Sequence, residues 1–176
     1  LNEYRFRNQA PFSDFAILYR INAQSRIFEE QLRKNNIPYR IYGGLSFYER
    51  KEIKDMLAYL RMVVNPNDNE ALKRIINYPA RGIGDTTLSK IEHTAALHGV
   101  SMWDTVNKPN DYPSGVNKGT QAKIAEFINL VEGFRSQLLH TSAYDLAMSV
   151  ARQTGIMEDL YKDKTPENLS KFENLQ

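Results

Sequence analysis

The spacing of hydrophobic and polar positions changes along the chain and divides it into two parts. The first part contains two short apolar runs of strand length, residues 15–19 and 39–42, and the run at 15–19 is typical of a strand covered on both faces. Between them lies a helical pattern that Asn22 can cap and Pro38 ends. Strand, helix and strand with short connections predict an α/β start, part of a parallel sheet.

After Gly44 the apolar positions recur every three or four residues, which predicts a mainly α-helical domain. Capping residues mark several boundaries, including Asp68, Gly99 and Pro166. Residues 107–119 are polar and rich in Pro and Gly and predict a loop. Helices are predicted over residues 53–64, 85–98 and 142–153. Three further helices are predicted: one begins after residue 68, one follows the loop and ends near residue 138, and one begins at residue 166.

Composition excludes several classes of protein. No apolar run approaches the ~20 residues of a membrane helix, so no membrane partner is expected. The absence of cysteine excludes disulfides and thiolate metal sites, and the three histidines have no ligand at a suitable spacing, so no metal site is expected. There is no signal region, no initiator Met, and the last helix is cut at Gln176. We therefore expect a cytoplasmic fragment that is truncated at its C-terminus.

The net charge of the chain does not indicate which kind of partner it binds. The formal net charge of +2 is too small to indicate nucleic-acid binding by itself, so such a contact depends on where the charges lie. Acidic and basic residues alternate over residues 49–55, which predicts an exposed helix start with surface ion pairs.

The most informative local sequence is Arg81-Gly82-Ile83-Gly84, a tight turn between two predicted helices. The glycines can take positive φ and let a phosphate approach the main chain, and the next helix begins with amides that attract anions. Ile83 is expected to anchor the turn in the core. The residues expected to contact a DNA backbone are Arg81, Gly82, Ile83, Gly84, Thr86, Thr87 and Lys90. An ordinary turn between helices would explain the two glycines equally well. The carboxylate of Asp85 would also repel an anion bound at this position.

A second polar group follows the predicted strand at 15–19. Arg20 and Asn22 lie beyond its carboxyl end, where ligands collect in open α/β sheets. A guanidinium and an amide suit a sugar-phosphate backbone. A helix cap at Asn22 and a solvated charge at Arg20 are the alternative.

Residues 15–26, 43–61 and 81–84 together resemble, in the same order, superfamily 1 DNA helicases of the UvrD/PcrA/Rep group. The resemblance implies that residues 1–43 are part of the RecA-like motor subdomain 2A and that residues 44–176 form most of the helical subdomain 2B with a helix-hairpin-helix motif. It also implies single-stranded DNA contacts at Arg20 and Asn22 and duplex contacts at the Gly-Ile-Gly turn, with Lys54 as a further backbone contact. Gly43 and Gly44 lie near the junction and are expected to act as a hinge.

The resemblance implies that the parent is an ATP-dependent 3′→5′ DNA helicase that uses ATP and Mg²⁺. This chain has neither a Gly-x-x-x-x-Gly-Lys-Ser/Thr loop nor an Asp-Glu pair at a strand end. We therefore expect it to have no catalytic residues and no bound cofactor, and to be inactive alone. The expected partners are duplex and single-stranded DNA, the remaining helicase subdomains, and repair or replication proteins. The alternatives are a protein-docking module without enzymatic activity and a fragment of an AddA/RecB-type helicase-nuclease.

Overall fold

The computed structural model describes residues 2–20, 24–42 and 46–175, and every regular element within those ranges is helical. The α-helices are α1 (Asn2–Asn8), α2 (Ser25–Lys34), α3 (Lys51–Val64), α4 (Asn69–Ile75), α5 (Asp85–His98), α6 (Met102–Asn107), α7 (Lys118–Arg135), α8 (Ala143–Gln153), α9 (Ile156–Lys162) and α10 (Pro166–Asn174). Short 3-10 helices occupy Phe12–Asp14 and Phe47–Glu49. None of these helices is long and apolar enough to cross a membrane.

The α/β start predicted from the sequence is wrong. Residues 15–19 and 39–42 contain no strand, and no parallel sheet occurs in the described ranges. A strand exists only where its N–H and C=O groups pair with those of a neighbouring strand, and these two segments do not pair with each other. The first segment also lacks the cover that a buried strand requires, since Leu18 is 93% exposed. The helix predicted between the segments is confirmed as α2.

The chain forms two compact units, Leu1–Ile53 and Lys54–Gln176, here called unit 1 and unit 2. The boundary between them falls in the first turn of α3. The assignment of residues 1–43 and 44–176 to two helicase subdomains stays a prediction.

Unit 1 contains a buried carboxylate, that of Glu29 on α2, a residue that is 1% exposed. It accepts hydrogen bonds from the hydroxyls of Ser46 and Tyr39 and from the backbone amide of Phe47, the last at 3.0 Å. These bonds attach α2 to the 3-10 helix at residues 47–49. Burial, the largest single influence, raises the pKa of Glu29, but the hydrogen bonds together outweigh it and lower that pKa.

We expect unit 1 to lose stability in acid through Glu29. Because its folded-state pKa lies below the ordinary value of 4.5, the ionised carboxylate stabilises the folded state above that pH. This stabilisation is lost as the pH falls through the folded-state pKa. Hydrogen-exchange protection of the Phe47 amide, corrected for the intrinsic exchange rate, should therefore fall below pH 4.5. In Glu29→Gln the protection should be lower at neutral pH and nearly independent of pH.

The matched control for this prediction is Glu30→Gln on the same helix, where the carboxylate is exposed and pairs with Arg26. This variant should keep the wild-type pH profile because a surface ion pair contributes little. A Glu29→Gln profile that follows the wild type at every pH would contradict the assigned role of the carboxylate.

Unit 2 contains a contiguous hydrophobic core. Its helices pack in the pairs α4 with α6, α5 with α6, α6 with α7, α7 with α8, α8 with α9 and α9 with α10. The largest fully buried side chains include Tyr59, Phe127 and Phe134. Trp103, the only tryptophan of the chain, is 4% exposed in this core. Its fluorescence therefore reports the unfolding of unit 2.

Side-chain caps set the starts of most helices in unit 2. Each capping side chain accepts a hydrogen bond from the backbone amide three residues further on. The capping residues are Asp68, Ser101, Asn117, Ser142 and Thr165. Gly99 ends α5 with φ of +65° and Pro166 is the first residue of α10, so both predicted boundaries are confirmed. The sequence did not predict α6 or α9, which have 6 and 7 residues. The predicted loop is also shorter than expected, because α7 begins at Lys118.

The start of α3 is not the exposed surface that the alternating charges predict. Asp55 is 2% exposed, and its carboxylate pairs with Nε of Arg74 on α4 at 2.7 Å. The partner is 19 residues away, whereas the alternation of charges concerns only neighbours on one helix. This ion pair connects α3 to the helix that precedes the Gly-Ile-Gly turn.

Candidate nucleic-acid interface

The connection between α4 and α5, residues 76–84, is called the hairpin here. The side-chain oxygen of Asn77 accepts hydrogen bonds from the amides of Arg81 and Ile83, each at 3.0 Å, and so closes the turn. Ile83 is 1% exposed and belongs to the core of unit 2, as the sequence predicts. Asn77 is not among the residues predicted from the sequence, although an Asn just before a tight turn is a recognised signal for such a bond.

The two glycines of the hairpin have different conformations. Gly82 has φ of +70°, in the left-handed region expected for it. Gly84 has φ of −83° and ψ of 172° and is the N-cap of α5, so it does not need a positive φ. A Cβ at Gly84 would meet no atom within 4 Å. The open side of Gly84 therefore allows a ligand to approach the main chain closely.

The first turn of α5 follows directly after Gly84. The helix dipole attracts anions to the first amides of a helix. Of these, the amide of Thr87 already donates to the carbonyl of Gly84 at 2.9 Å. Thr86 is exposed and Thr87 is half-buried, so hydroxyl groups lie beside these amides. The exposed carboxylate of Asp85 opposes an anion at the same place.

Arg81 points into unit 2 and makes internal hydrogen bonds. Its guanidinium donates to the carbonyls of Ile75, Pro79 and Thr154 at 3.1, 3.2 and 3.3 Å and to the hydroxyl of Tyr59 at 2.8 Å. Its central carbon also lies 5.4 Å from the centroid of the Phe127 ring. Through these contacts Arg81 connects the hairpin to α3, to α7 and to the end of α8.

Tyr59 of α3 is the second member of this hydrogen-bonded group. Its hydroxyl accepts from Arg81 and donates to the carbonyl of Tyr78 in the hairpin. The side chain is fully buried, and burial raises the pKa of Tyr59 to about 12 against a smaller lowering effect of Arg81. The phenol therefore stays neutral near physiological pH and keeps its donor.

Three lysines of unit 2 are further candidates for a phosphate contact, and their surroundings differ from those of Arg81. Lys90 donates to the carbonyl of Gly115 at 3.1 Å, and Lys54 is exposed on α3. Lys123, which was not predicted from the sequence, places its Nζ 2.6 Å from the position that a Cβ of Gly82 would take. The residue is exposed and forms no hydrogen bond or ion pair with any residue of the described ranges. It belongs to α7, beyond the predicted loop, and no local pattern relates it to the hairpin.

The remaining sequence predictions concern unit 1 and metal binding. Arg20 is exposed, and its backbone amide donates to the side-chain oxygen of Gln24 at 3.1 Å. Asn22, Gly43 and Gly44 lie outside the described residues. In the part of the chain that the structure describes, no group of acidic, His or Cys side chains could hold a metal ion.

Comparisons with known proteins identify the family of the chain. The family of the UvrD-like helicase C-terminal domain matches residues 2–176. The chain is 37% identical over 169 residues to the ATP-dependent DNA helicase PcrA of Staphylococcus aureus, covering 96% of the chain and 23% of that relative. The PcrA helicase of Staphylococcus epidermidis gives the same identity and coverage. The chain thus spans about a quarter of the length of these relatives.

Proposed function

The chain belongs to the family of UvrD-like helicase C-terminal domains, and from that premise we propose that it is a DNA-binding part of an ATP-dependent DNA helicase. In the complete protein, ATP and Mg²⁺ drive movement from 3′ to 5′ along one strand while the hairpin holds the duplex ahead. The chain itself hydrolyses no nucleotide, because its sequence contains no Walker A or Walker B motif. Its partners are duplex and single-stranded DNA, the other helicase subdomains, and proteins of repair or replication.

The geometry of the hairpin is the main support for this proposal. It combines the left-handed Gly82, the unobstructed N-cap Gly84, and the amides and hydroxyls of the first turn of α5. These groups suit phosphate oxygens and do not read base edges. Binding should therefore be independent of sequence and should weaken steeply between about 50 and 200 mM salt.

A second contact involves the single strand. Arg20 is exposed, and an exposed guanidinium binds a phosphate in a bidentate manner. We assign single-strand contacts to Arg20 and Asn22, and we assign Lys54 to the backbone of the duplex. Gly43 and Gly44 serve as the hinge that lets the helical part rotate and regulate unwinding.

Gly84→Ser tests the hairpin because it separates stability from binding. Serine is a preferred N-cap and φ of −83° suits it, so the stability of unit 2 should change by only a few tenths of a kcal/mol. The added side chain occupies the open side of Gly84 and blocks a phosphate. Losing charge-assisted hydrogen bonds of about 1.5–3 kcal/mol lowers affinity about tenfold or more. Fluorescence anisotropy of the 176-residue chain on a labelled duplex measures this, with Thr87→Ala as a milder second variant.

The matched control is Gly133→Ser on α7, where a Cβ also meets no atom within 4 Å. This variant should bind DNA as the wild type does. If Gly84→Ser and Thr87→Ala both keep wild-type affinity, the hairpin is an ordinary turn and the proposal fails. Binding that does not respond to salt would favour the protein-docking alternative instead.

A further inference from the structure

A positive charge beside the hairpin would offset the negative charge that Asp85 adds at the start of α5 and would strengthen the binding of a phosphate there. The cation nearest in sequence is Arg81, but this residue is half-buried and its guanidinium is engaged within unit 2. It makes four internal hydrogen bonds to three carbonyls and one hydroxyl. Turning Arg81 outward would break all four bonds and leave those acceptors without this donor.

Lys123 of α7 provides a cation at the hairpin from a different part of the chain. Its Nζ lies 2.6 Å from where a Cβ of Gly82 would stand, so it occupies the space that the missing side chain leaves. No carboxylate of the described ranges pairs with Lys123. By contrast, the ammonium group of Lys90 already donates to Gly115.

The packing of α7 fixes where Lys123 stands. Ile124 is 5% exposed and Phe127 is 1% exposed, and both belong to the core of unit 2. Lys123 lies four residues before Phe127 and therefore on the same side of the helix, at an exposed position. Phe127 also lies against the guanidinium of Arg81, so the same helix contacts the hairpin from inside and from the solvent side.

We propose that the two cations have separate roles: Lys123 contacts the DNA phosphate held at Gly82, and Arg81 is a positioning residue that orients the hairpin from within. This inference rests on the proposed function of the hairpin. It assigns the phosphate contact to a residue outside the Gly-Ile-Gly sequence. The ammonium group of Lys123 is on a flexible side chain and can adjust to the position of a phosphate. The guanidinium of Arg81 makes four hydrogen bonds and keeps the turn rigid.

The test is the salt dependence of duplex binding by the 176-residue chain, measured by anisotropy on a labelled duplex of random sequence. Each phosphate contact contributes about −0.9 to the slope of log K against log salt. Lys123→Ala should reduce the steepness of that slope by about 0.9 and lower affinity about eightfold at ~0.1 M salt. Lys123→Arg should keep both values. Lys171→Ala on α10 removes the same charge outside the hairpin and should leave the slope unchanged.

Arg81→Gln and Arg81→Lys complete the test. If Arg81 positions the hairpin, both variants lower affinity, neither changes the slope, and the retained charge of lysine does not rescue binding. If Arg81 contacts a phosphate, the glutamine variant loses about 0.9 of slope and the lysine variant keeps it. That result would overturn the assignment. Trp103 fluorescence shows whether Arg81→Gln folds. If it does not fold, the results for Arg81→Lys and Lys123→Ala decide between the two assignments.

The failure of this inference is distinguishable from failure of the proposed function. If Gly84→Ser weakens binding while Lys123→Ala behaves like Lys171→Ala, the hairpin binds DNA and Lys123 is not its phosphate contact. If neither Gly84→Ser nor Thr87→Ala changes the affinity, the proposed function itself fails and this inference fails with it.

Discussion

Replacing Ile83 with Ala is expected to lower the free energy of unfolding of unit 2 by about 2–5 kcal/mol. Ile83 is 1% exposed and belongs to the hydrophobic core, although it lies in a connection and not in a helix. The substitution removes buried methyl groups and leaves a cavity between the hairpin and the core. Urea unfolding followed by Trp103 fluorescence measures the effect, because this tryptophan is unique and buried in unit 2.

Leu97→Ala is the matched control, since Leu97 is an aliphatic residue on α5 that is 72% exposed. Its effect should lie within about 0.5 kcal/mol of zero. We also expect Ile83→Ala to weaken duplex binding under conditions where unit 2 stays folded, because the turn loses its anchor while its phosphate-binding groups remain. Equal stability of the Ile83→Ala and Leu97→Ala variants would show that the hairpin is not part of the core.

Most helices of unit 2 could be predicted from the sequence because their determinants are local. Asp68 caps α4, Gly99 ends α5 in the left-handed conformation, and Pro166 begins α10. Each of these effects acts within one turn of the residue itself. Neither α6 nor α9 was predicted, although Ser101 caps α6, and both pack against neighbouring helices.

The predicted strands failed for the opposite reason. Whether residues 15–19 form a strand depends on a hydrogen-bonding partner elsewhere, and the apolar run carries no information about that partner. The buried carboxylates of Glu29 and Asp55 were unpredictable in the same way. Their partners come from other elements, and periodicity treats a charged residue as exposed.

The local geometry of the hairpin could be predicted only in part, and its role as a binding site stays a prediction. Gly82, Gly84 and the first turn of α5 lie together because they are adjacent in sequence. Side-chain direction is a different matter: Arg81 looks like a surface cation in the sequence, yet its guanidinium is used inside unit 2. Lys123 reaches the hairpin only because α7 packs in the same core.

Alkaline pH should destabilise unit 2 through Tyr59, and Tyr59→Phe should remove that dependence. The pKa of Tyr59 is about 12 in the folded state against an ordinary value of 10.0. Because the folded-state value is the higher one, the stabilisation is fully present below pH 10 and is lost as the pH rises through about 12. At about 1.4 kcal/mol for each pKa unit, the loss amounts to about 2–3 kcal/mol.

Tyr59→Phe should also be less stable than the wild type near neutral pH, by about 1–3 kcal/mol, because it removes the hydrogen bond to Tyr78 and an acceptor for Arg81. The two unfolding curves should therefore converge between pH 10 and about 12. Tyr144→Phe, at a residue that is 68% exposed on α8, is the control and should follow the wild type throughout. Parallel pH curves for the wild type and Tyr59→Phe would mean that burial does not raise the pKa of the phenol, which would contradict this prediction.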